Sequence, residues 1–147
     1  MAELTRKELI MLINGSERPR LAGIDLGGLD MNRLDMENAN LRGATLQGAN
    51  MIESILRSTN MTGVNMTGTQ AAYSDMHAAI LTAGNLTLAN MRGARLTNAN
   101  LTNAVLNGAN LQDANLKGAN VTGVKFDDGT VWPDGKKGSQ GNPNSYV

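Results

Sequence analysis

The sequence contains no cysteine, which excludes disulfide bonds and thiolate metal ligands. Aromatic residues make up only 3% of a chain that is 41% hydrophobic, too few for an ordinary globular core. Basic and acidic residues number 13 each, which predicts neither a basic field for nucleic acid nor a strongly acidic surface that mimics it. No signal peptide pattern and no apolar run of transmembrane length is present. We therefore expect one cytoplasmic domain with no membrane partner.

What the chain has instead is a five-residue period. A large apolar residue stands at each position whose number ends in 1 or 6 from Leu21 to Phe126, which gives 22 units with Ala71 as the exception. The position two residues earlier is small in most units, as at Ala89 and Ala99. Five is neither the helical period of 3.6 nor the strand period of 2, so an internal repeat is the first interpretation.

This pattern resembles the pentapeptide-repeat family, whose consensus is A(D/N)LXX. The resemblance implies an all-β fold, a right-handed quadrilateral β-helix in which four pentapeptides make one coil and the Leu and Ala positions point inward. The 22 units then make about 5.5 coils, and residues 20 apart stack at about 4.8 Å, the strand spacing. One inner column would contain Leu21, Leu41, Met61, Leu81, Leu101 and Val121.

Two outward positions also recur. Asn residues 20 apart are typical of stacked ladders that favour β-structure, and Asn40, Asn60, Asn100 and Asn120 form one such series. Glycine is frequent two residues after the large position, where it permits positive φ at a corner of the coil.

Residues 1–18 lie outside the five-residue register and predict a short α-helix that caps the first coil. Thr5 and Glu8 have the spacing of a capping box, and Asn14 followed by Gly15 is typical of a helix end. A cap is required at the end of a repeat array. A helix that binds a membrane surface or a partner is the alternative.

The repeat region is expected to span residues 19–128, and residues 129–147 to form the C-terminal end. Val131 and Trp132 are expected to fold over the last coil. From Lys136 onward the chain has little apolar content and is rich in Gly, Ser, Asn and Pro, so we expect a disordered tail.

The middle of the repeat region departs most from the consensus and contains the candidate partner-binding residues. Apolar or aromatic side chains occupy outward positions there, and an apolar patch on a polar rod is typical of an interaction surface, although single exposed apolar residues are ordinary. We expect Ile52, Ile55, Ala72 and Tyr73 to lie near one corner. The candidates are Ile52, Ile55, Tyr73, His77, Ile80 and Leu88.

No catalytic, metal or cofactor site is expected. His77 is the sole histidine, and Tyr73 and Asp75 beside it complete neither a metal site nor a nucleophilic triad. No phosphate-binding loop motif occurs. A filled coil also lacks the concave pocket that an enzyme needs, so we expect no enzyme activity.

The function is inferred from the resemblance. Most pentapeptide-repeat proteins have no known activity, many occur in cyanobacteria, and one group influences heterocyst differentiation by contacting regulatory proteins. We accordingly expect a non-catalytic interaction scaffold or regulator that binds an unidentified protein. A monomer is expected, with a side-by-side dimer through a flat face as the alternative. The alternative function is that of a DNA mimic that protects DNA gyrase, a type II topoisomerase. The balanced charge of the chain argues against this alternative.

Overall fold

The computed structural model describes residues 2–147. From Arg20 onward the chain forms a solenoid with 20 residues per coil. Parallel β-bridges join residues 20 apart from the pair Arg20 and Asn40 to the pair Val105 and Lys125. Successive bridges are five residues apart, so each coil has four sides. Met1, within the predicted N-terminal segment, lies outside the described residues.

The four sides are named here by their first large inward residue. Side 1 begins with Leu21, side 2 with Leu26, side 3 with Met31 and side 4 with Met36, and each side repeats every 20 residues. The coils are counted from residue 19, so that Tyr73 lies in coil 3.

Within residues 2–147, the extended structure consists of single bridging residues. No strand of two or more residues is present in this part of the chain. Each turn takes four of every five residues and leaves one residue to bridge the neighbouring coils. The helices lie at the two ends: α1 spans Arg6–Asn14, and two short 3-10 helices span Gly138–Gln140 and Pro143–Ser145.

The interior is filled by two residues from each side. Every large position from Leu21 to Leu116 is at most 2% exposed, and Ala71 is fully buried. Ser or Thr replaces Ala at some small positions, and each of these buried hydroxyls donates to a backbone carbonyl, as Ser54 Oγ does to Met51 O at 2.7 Å. The polar substitutions are tolerated because their hydrogen bonds are satisfied.

Each side ends in a β-turn with positive φ at its third residue. Gly63 has a φ of 66°, and the turn around it is closed by a 3.1 Å hydrogen bond from Val64 N–H to Met61 O. This is the pattern of a type II turn. Eleven residues other than glycine also have positive φ, and Tyr73 and Leu88 are the largest apolar residues among them.

The outward Asn residues stack 20 residues apart as their spacing suggested, and each also acts within its own turn. Asn60 Oδ1 accepts a 3.1 Å hydrogen bond from the backbone N–H of Thr62, two residues on. Fourteen Asn and Asp side chains at this position make the same bond, an Asx turn. Their main contribution is to the turn of their own unit, because the side-chain oxygen replaces a backbone acceptor.

Helix α1 closes the N-terminal end of the coil. Its capping box is present: Glu8 N–H donates to Thr5 Oγ1 and Thr5 N–H donates to Glu8 Oε1, both at 3.2 Å. Leu9 is fully buried against the first coil. The Arg6 guanidinium donates to Asp30 O at 2.8 Å, which satisfies a carbonyl at the open edge of side 3.

The register shifts by one residue at the C-terminal end. Asn110 bridges Val131, which lies 21 rather than 20 residues further on. As a result Thr130 and Trp132 take the small and large inward positions, and both are fully buried. A search for residues five apart misses this last unit, because one extra residue precedes it.

The tail from Lys136, which its composition predicted to be disordered, is ordered in the structure. Trp132 Nε1 donates to Gly138 O at 2.8 Å, and the Tyr146 ring stacks on Trp132 with centroids 5.7 Å apart. The Tyr146 hydroxyl donates to Asp134 Oδ1 at 2.9 Å, and burial together with this bond raises the pKa of Tyr146 above its ordinary value. One aromatic stack thus fixes a segment that has little other apolar content.

We expect Tyr146→Ala to release the tail while leaving the coil folded. The stacked pair contributes about 0.5–1.5 kcal/mol, and its loss exposes the single tryptophan to water. Trp132 emission should therefore move to longer wavelength. Tyr73→Ala removes the other tyrosine from an outer corner and is the matched control, which should leave the emission unchanged. An unshifted spectrum in Tyr146→Ala would contradict the observed packing of the tail.

Candidate partner-binding surface

The six candidate side chains are distributed around the coil rather than gathered on one face. Because residues 20 apart stack, each position in the coil is fixed by the bridges. Four of the candidates surround the edge between sides 3 and 4, and the other two lie elsewhere. Ile52 lies on side 3, Tyr73 at the corner of sides 3 and 4, Ile55 and His77 on side 4, Ile80 on side 1, and Leu88 at the corner of sides 2 and 3.

Tyr73 is the centre of the group of four, which we call the Tyr73 corner: Ile52, Ile55, Tyr73 and His77. The Tyr73 side chain is 58% exposed, whereas Ile52, Ile55 and His77 are half-buried. Its backbone is held by a 2.9 Å hydrogen bond from its N–H to Arg92 O in the next coil. The corner therefore presents one large aromatic ring flanked by two aliphatic side chains.

The Tyr73 ring lies across Gly93, the residue at the same corner in the next coil. A Cβ at residue 93 would lie only 2.4 Å from Cε1 of Tyr73, closer than any real contact. The ring therefore occupies space that exists only because residue 93 is glycine. Leu88 is placed in the same way over Gly108, where a Cβ would lie 2.6 Å from Cδ2 of Leu88.

Tyr73 has a backbone conformation that its side chain disfavours. Its φ is 58°, and a bulky residue at positive φ is an outlier. The left-handed conformation costs about 1–2 kcal/mol for a residue with a Cβ. A tyrosine at this position thus contributes less to the stability of the turn than glycine would. Ten other residues with a Cβ share this conformation, so Tyr73 is distinguished by its exposed aromatic ring.

Ile55 and Ile80 also depart from what the turn favours. They occupy the position at which Asn or Asp accepts the Asx hydrogen bond in most units, and an isoleucine side chain has no acceptor. Ile80 is 40% exposed. Both residues replace a stabilising polar side chain by an apolar one that is only partly removed from water.

Ion pairs border the Tyr73 corner. Along the corner itself, Arg33 in coil 1 pairs with Glu53 in coil 2. On side 4, Asp75 lies between two guanidinium groups. The closest N to O distances are 2.8 Å for Arg33 and Glu53, 3.3 Å for Arg57 and Glu37, 3.4 Å for Arg92 and Asp113, 3.5 Å for Arg95 and Asp75, and 3.8 Å for Arg57 and Asp75. An apolar centre with a charged border is the arrangement of many protein interfaces.

His77 is held within side 4. Its Nδ1 lies 2.6 Å from Thr97 Oγ1, and its backbone N–H donates to Asp75 Oδ1 at 3.1 Å. In residues 2–147 no group of three His, Cys, Asp or Glu side chains converges to hold a metal ion. Nor does that part of the chain contain a helix long and apolar enough to cross a membrane.

The family model for pentapeptide repeats matches residues 20–57 and 85–128 in eight copies, more than half of the chain. The chain belongs to the pentapeptide-repeat family. The recognition made from the sequence is thereby confirmed. The unmatched stretch between the two matches contains Tyr73 and Ile80, yet bridges 20 residues apart continue through it.

Solved structures of pentapeptide-repeat proteins are similar to this chain. Rfr23 from the cyanobacterium Cyanothece 51142 has 27% identity and a TM-score of 0.80, over 86% of this chain and 98% of that one. HetL from Nostoc sp. strain PCC 7120, a protein involved in heterocyst differentiation regulation, has 24% identity and a TM-score of 0.54, over 81% and 64%. The plasmid-mediated fluoroquinolone resistance protein QnrB1 has 14% identity and a TM-score of 0.27, over 71% of this chain and 79% of that one. No curated protein sequence matches the chain significantly.

The missing Asx bond at Ile80 predicts opposite effects for two reciprocal substitutions in one column of side 1. Ile80→Asn supplies an acceptor for the N–H of Thr82 and should raise the free energy of unfolding by about 1 kcal/mol. Asn100→Ile removes the 3.0 Å bond to Thr102 N–H and should lower it by a similar amount. Urea denaturation of both variants measures this. Two changes of the same sign would contradict the role assigned to the Asx bond.

Because the Tyr73 ring lies over Gly93, the loss of stability caused by an alanine at residue 93 should depend on Tyr73. Gly93→Ala and Gly63→Ala place a Cβ at the same φ of 66°, and no atom crowds residue 63. We expect Gly93→Ala to be more destabilising by about 1 kcal/mol, because the Tyr73 ring must move. In a Tyr73→Ala background the two alanine substitutions should become equal. A difference that persists there would show that the ring is not the cause.

Proposed function

We propose that this protein is a right-handed quadrilateral β-helix of about 5.5 coils that serves as a non-catalytic interaction scaffold or regulator. It binds a protein partner through the Tyr73 corner. The observation that carries the proposal is the exposed Tyr73 ring at positive φ, seated over Gly93. Neither the fold nor the stability of the turn requires a tyrosine there.

The chemistry of the corner supports protein binding. Tyrosine is enriched among the residues that dominate interface energetics, since its ring supplies a large contact area with few rotatable bonds. Ile52 and Ile55 extend the apolar area on either side of the ring. The ion pairs around them form a polar border that suits a reversible contact between two soluble surfaces.

The shape of the molecule supports a role as a scaffold. The inward residues of the coil fill its interior, so reactive groups must lie on the outer surface. There the His77 imidazole contacts the Thr97 hydroxyl, but within residues 2–147 no carboxylate hydrogen-bonds to the His77 ring to complete a triad. Similarity to a protein involved in heterocyst differentiation regulation fits a regulator whose activity is binding alone.

The charge distribution does not support the alternative of a DNA mimic that protects DNA gyrase. Acidic side chains on the coil pair with arginines, as Glu53 does with Arg33 and Asp113 does with Arg92. A surface that imitates duplex DNA needs a continuous negative charge. We therefore propose a protein partner that recognises an apolar corner.

The proposal predicts which substitution abolishes partner binding. Affinity capture from a lysate of the source organism, followed by mass spectrometry, should recover a partner with the wild type that Tyr73→Glu no longer recovers. Truncation of a hot-spot tyrosine costs about 2 kcal/mol or more, and an unpaired carboxylate in its place adds a desolvation penalty.

Leu88→Glu is the matched control. Leu88 also lies at a corner with positive φ, over a glycine of the next coil, and is 63% exposed. It should keep the partner, and both variants should give circular dichroism spectra and melting temperatures like those of the wild type. Loss of the partner in both variants, or in neither, would overturn the assignment to the Tyr73 corner. Recovery of DNA gyrase would favour the alternative function instead.

A further inference from the structure

Side 4 contains a depression beside the Tyr73 corner, toward the C-terminal end of the coil. Its walls include His77, Arg95, Thr97, Asn98 and Lys117. These five side chains supply a guanidinium, an ammonium, an imidazole, a hydroxyl and an amide. Gly118 and Val147 also line the depression, and no Asp or Glu side chain does. It is therefore rich in hydrogen-bond donors and suited to an anion.

The positive charge of this depression is only partly neutralised. Arg95 lies 3.5 Å from Asp75, but the same carboxylate oxygen is 3.8 Å from Arg57 and is thus shared between two guanidinium groups. Lys117 forms no ion pair with any carboxylate in residues 2–147. Arg95 is about half exposed, so its remaining donors are accessible.

The depression adjoins the apolar corner at a distance that one extended peptide can span. Tyr73 and His77 belong to coil 3, Arg95 to coil 4 and Lys117 to coil 5. Two coil spacings amount to about 10 Å, because neighbouring chains in a sheet lie about 4.8 Å apart. An extended chain covers this axial distance in about three residues, and the offset from the corner onto side 4 requires additional residues.

We propose that the depression binds the carboxylates of an acidic, extended segment of the protein partner. An apolar residue of this segment contacts Tyr73, and the acidic residues that follow it reach Arg95 and Lys117. The inference rests on the proposed function and adds the chemistry of the partner to it. A peptide is favoured over nucleic acid because the cations occupy one short stretch of one side next to an apolar ring, whereas a phosphate backbone needs a continuous basic track.

The test uses fluorescence anisotropy with the full chain at low ionic strength. The probe is a fluorescein-labelled peptide with one leucine followed by four glutamates. The control peptide carries the same label and has glutamines in place of the glutamates. We expect the glutamate peptide to bind more tightly than the glutamine peptide. Arg95→Gln/Lys117→Gln should weaken its binding about five- to tenfold, the effect of two exposed ion pairs.

Arg42→Gln/Lys125→Gln removes the same charge from sides 1 and 2 and should change the affinity less than about twofold. Equal losses in the two double variants would reveal a general charge effect and overturn the proposal. So would equal affinity for the two peptides, no binding of either, or competition by inorganic phosphate as effective as that by the unlabelled glutamate peptide.

The failure of this inference is distinguishable from the failure of the proposed function. Partner capture that is lost with Tyr73→Glu but retained at full strength by Arg95→Gln/Lys117→Gln would overturn the acidic segment and leave the scaffold function intact. Capture that is weakened by both variants supports both proposals. Capture that neither variant affects would overturn both.

Discussion

Hydrogen bonding of the backbone between neighbouring coils is the constraint on which this structure depends. A unit of five residues has five N–H groups, and each needs an acceptor because the chain packs against itself above and below. In the unit of residues 59–63, three N–H groups bond to neighbouring coils and one closes the preceding turn. The fifth, that of Thr62, bonds to the side chain of Asn60. The preference for Asn or Asp beside the inward Leu follows from this one remaining donor.

The same constraint makes residues that depart from the pattern candidates for binding a partner. The inward positions cannot vary without loss of packing, and the position of the Asx bond is best filled by Asn or Asp. An isoleucine there, as at Ile55, or a bulky residue at positive φ, as at Tyr73, lowers the stability of its own turn. Many stacked coils supply enough hydrogen bonds and buried area to tolerate a few such turns, which suits a repeat protein whose stability is a sum over units.

Much of the fold could be predicted because the period fixes both the stacking distance and the inward set. Ala71, the weakest position, still points inward, since its backbone is held by the coils above and below. The C-terminal end was less predictable. One inserted residue hides Thr130 and Trp132 from a search at fixed spacing, and composition alone does not reveal that Tyr146 stacks on Trp132.

The candidate surface was predictable only in part. Proximity in sequence grouped Ile80 and Leu88 with the others, although position within the 20-residue coil places them on different faces. The Asx role of the asparagines was missed because a ladder and a series of capped turns have the same spacing.

A bulky apolar side chain can lie over the next coil at a corner where that coil leaves room for it. On a flat side, the coils above and below occupy the space along the axis. At a corner, a glycine 20 residues later has no Cβ, so the ring of Tyr73 lies over Gly93, and Leu88 over Gly108. The placement of Tyr73 and of Leu88 therefore involves two positions each, the residue itself and the glycine 20 residues later. Such a pair is visible in the sequence as a large apolar residue at a corner position followed by glycine 20 residues later.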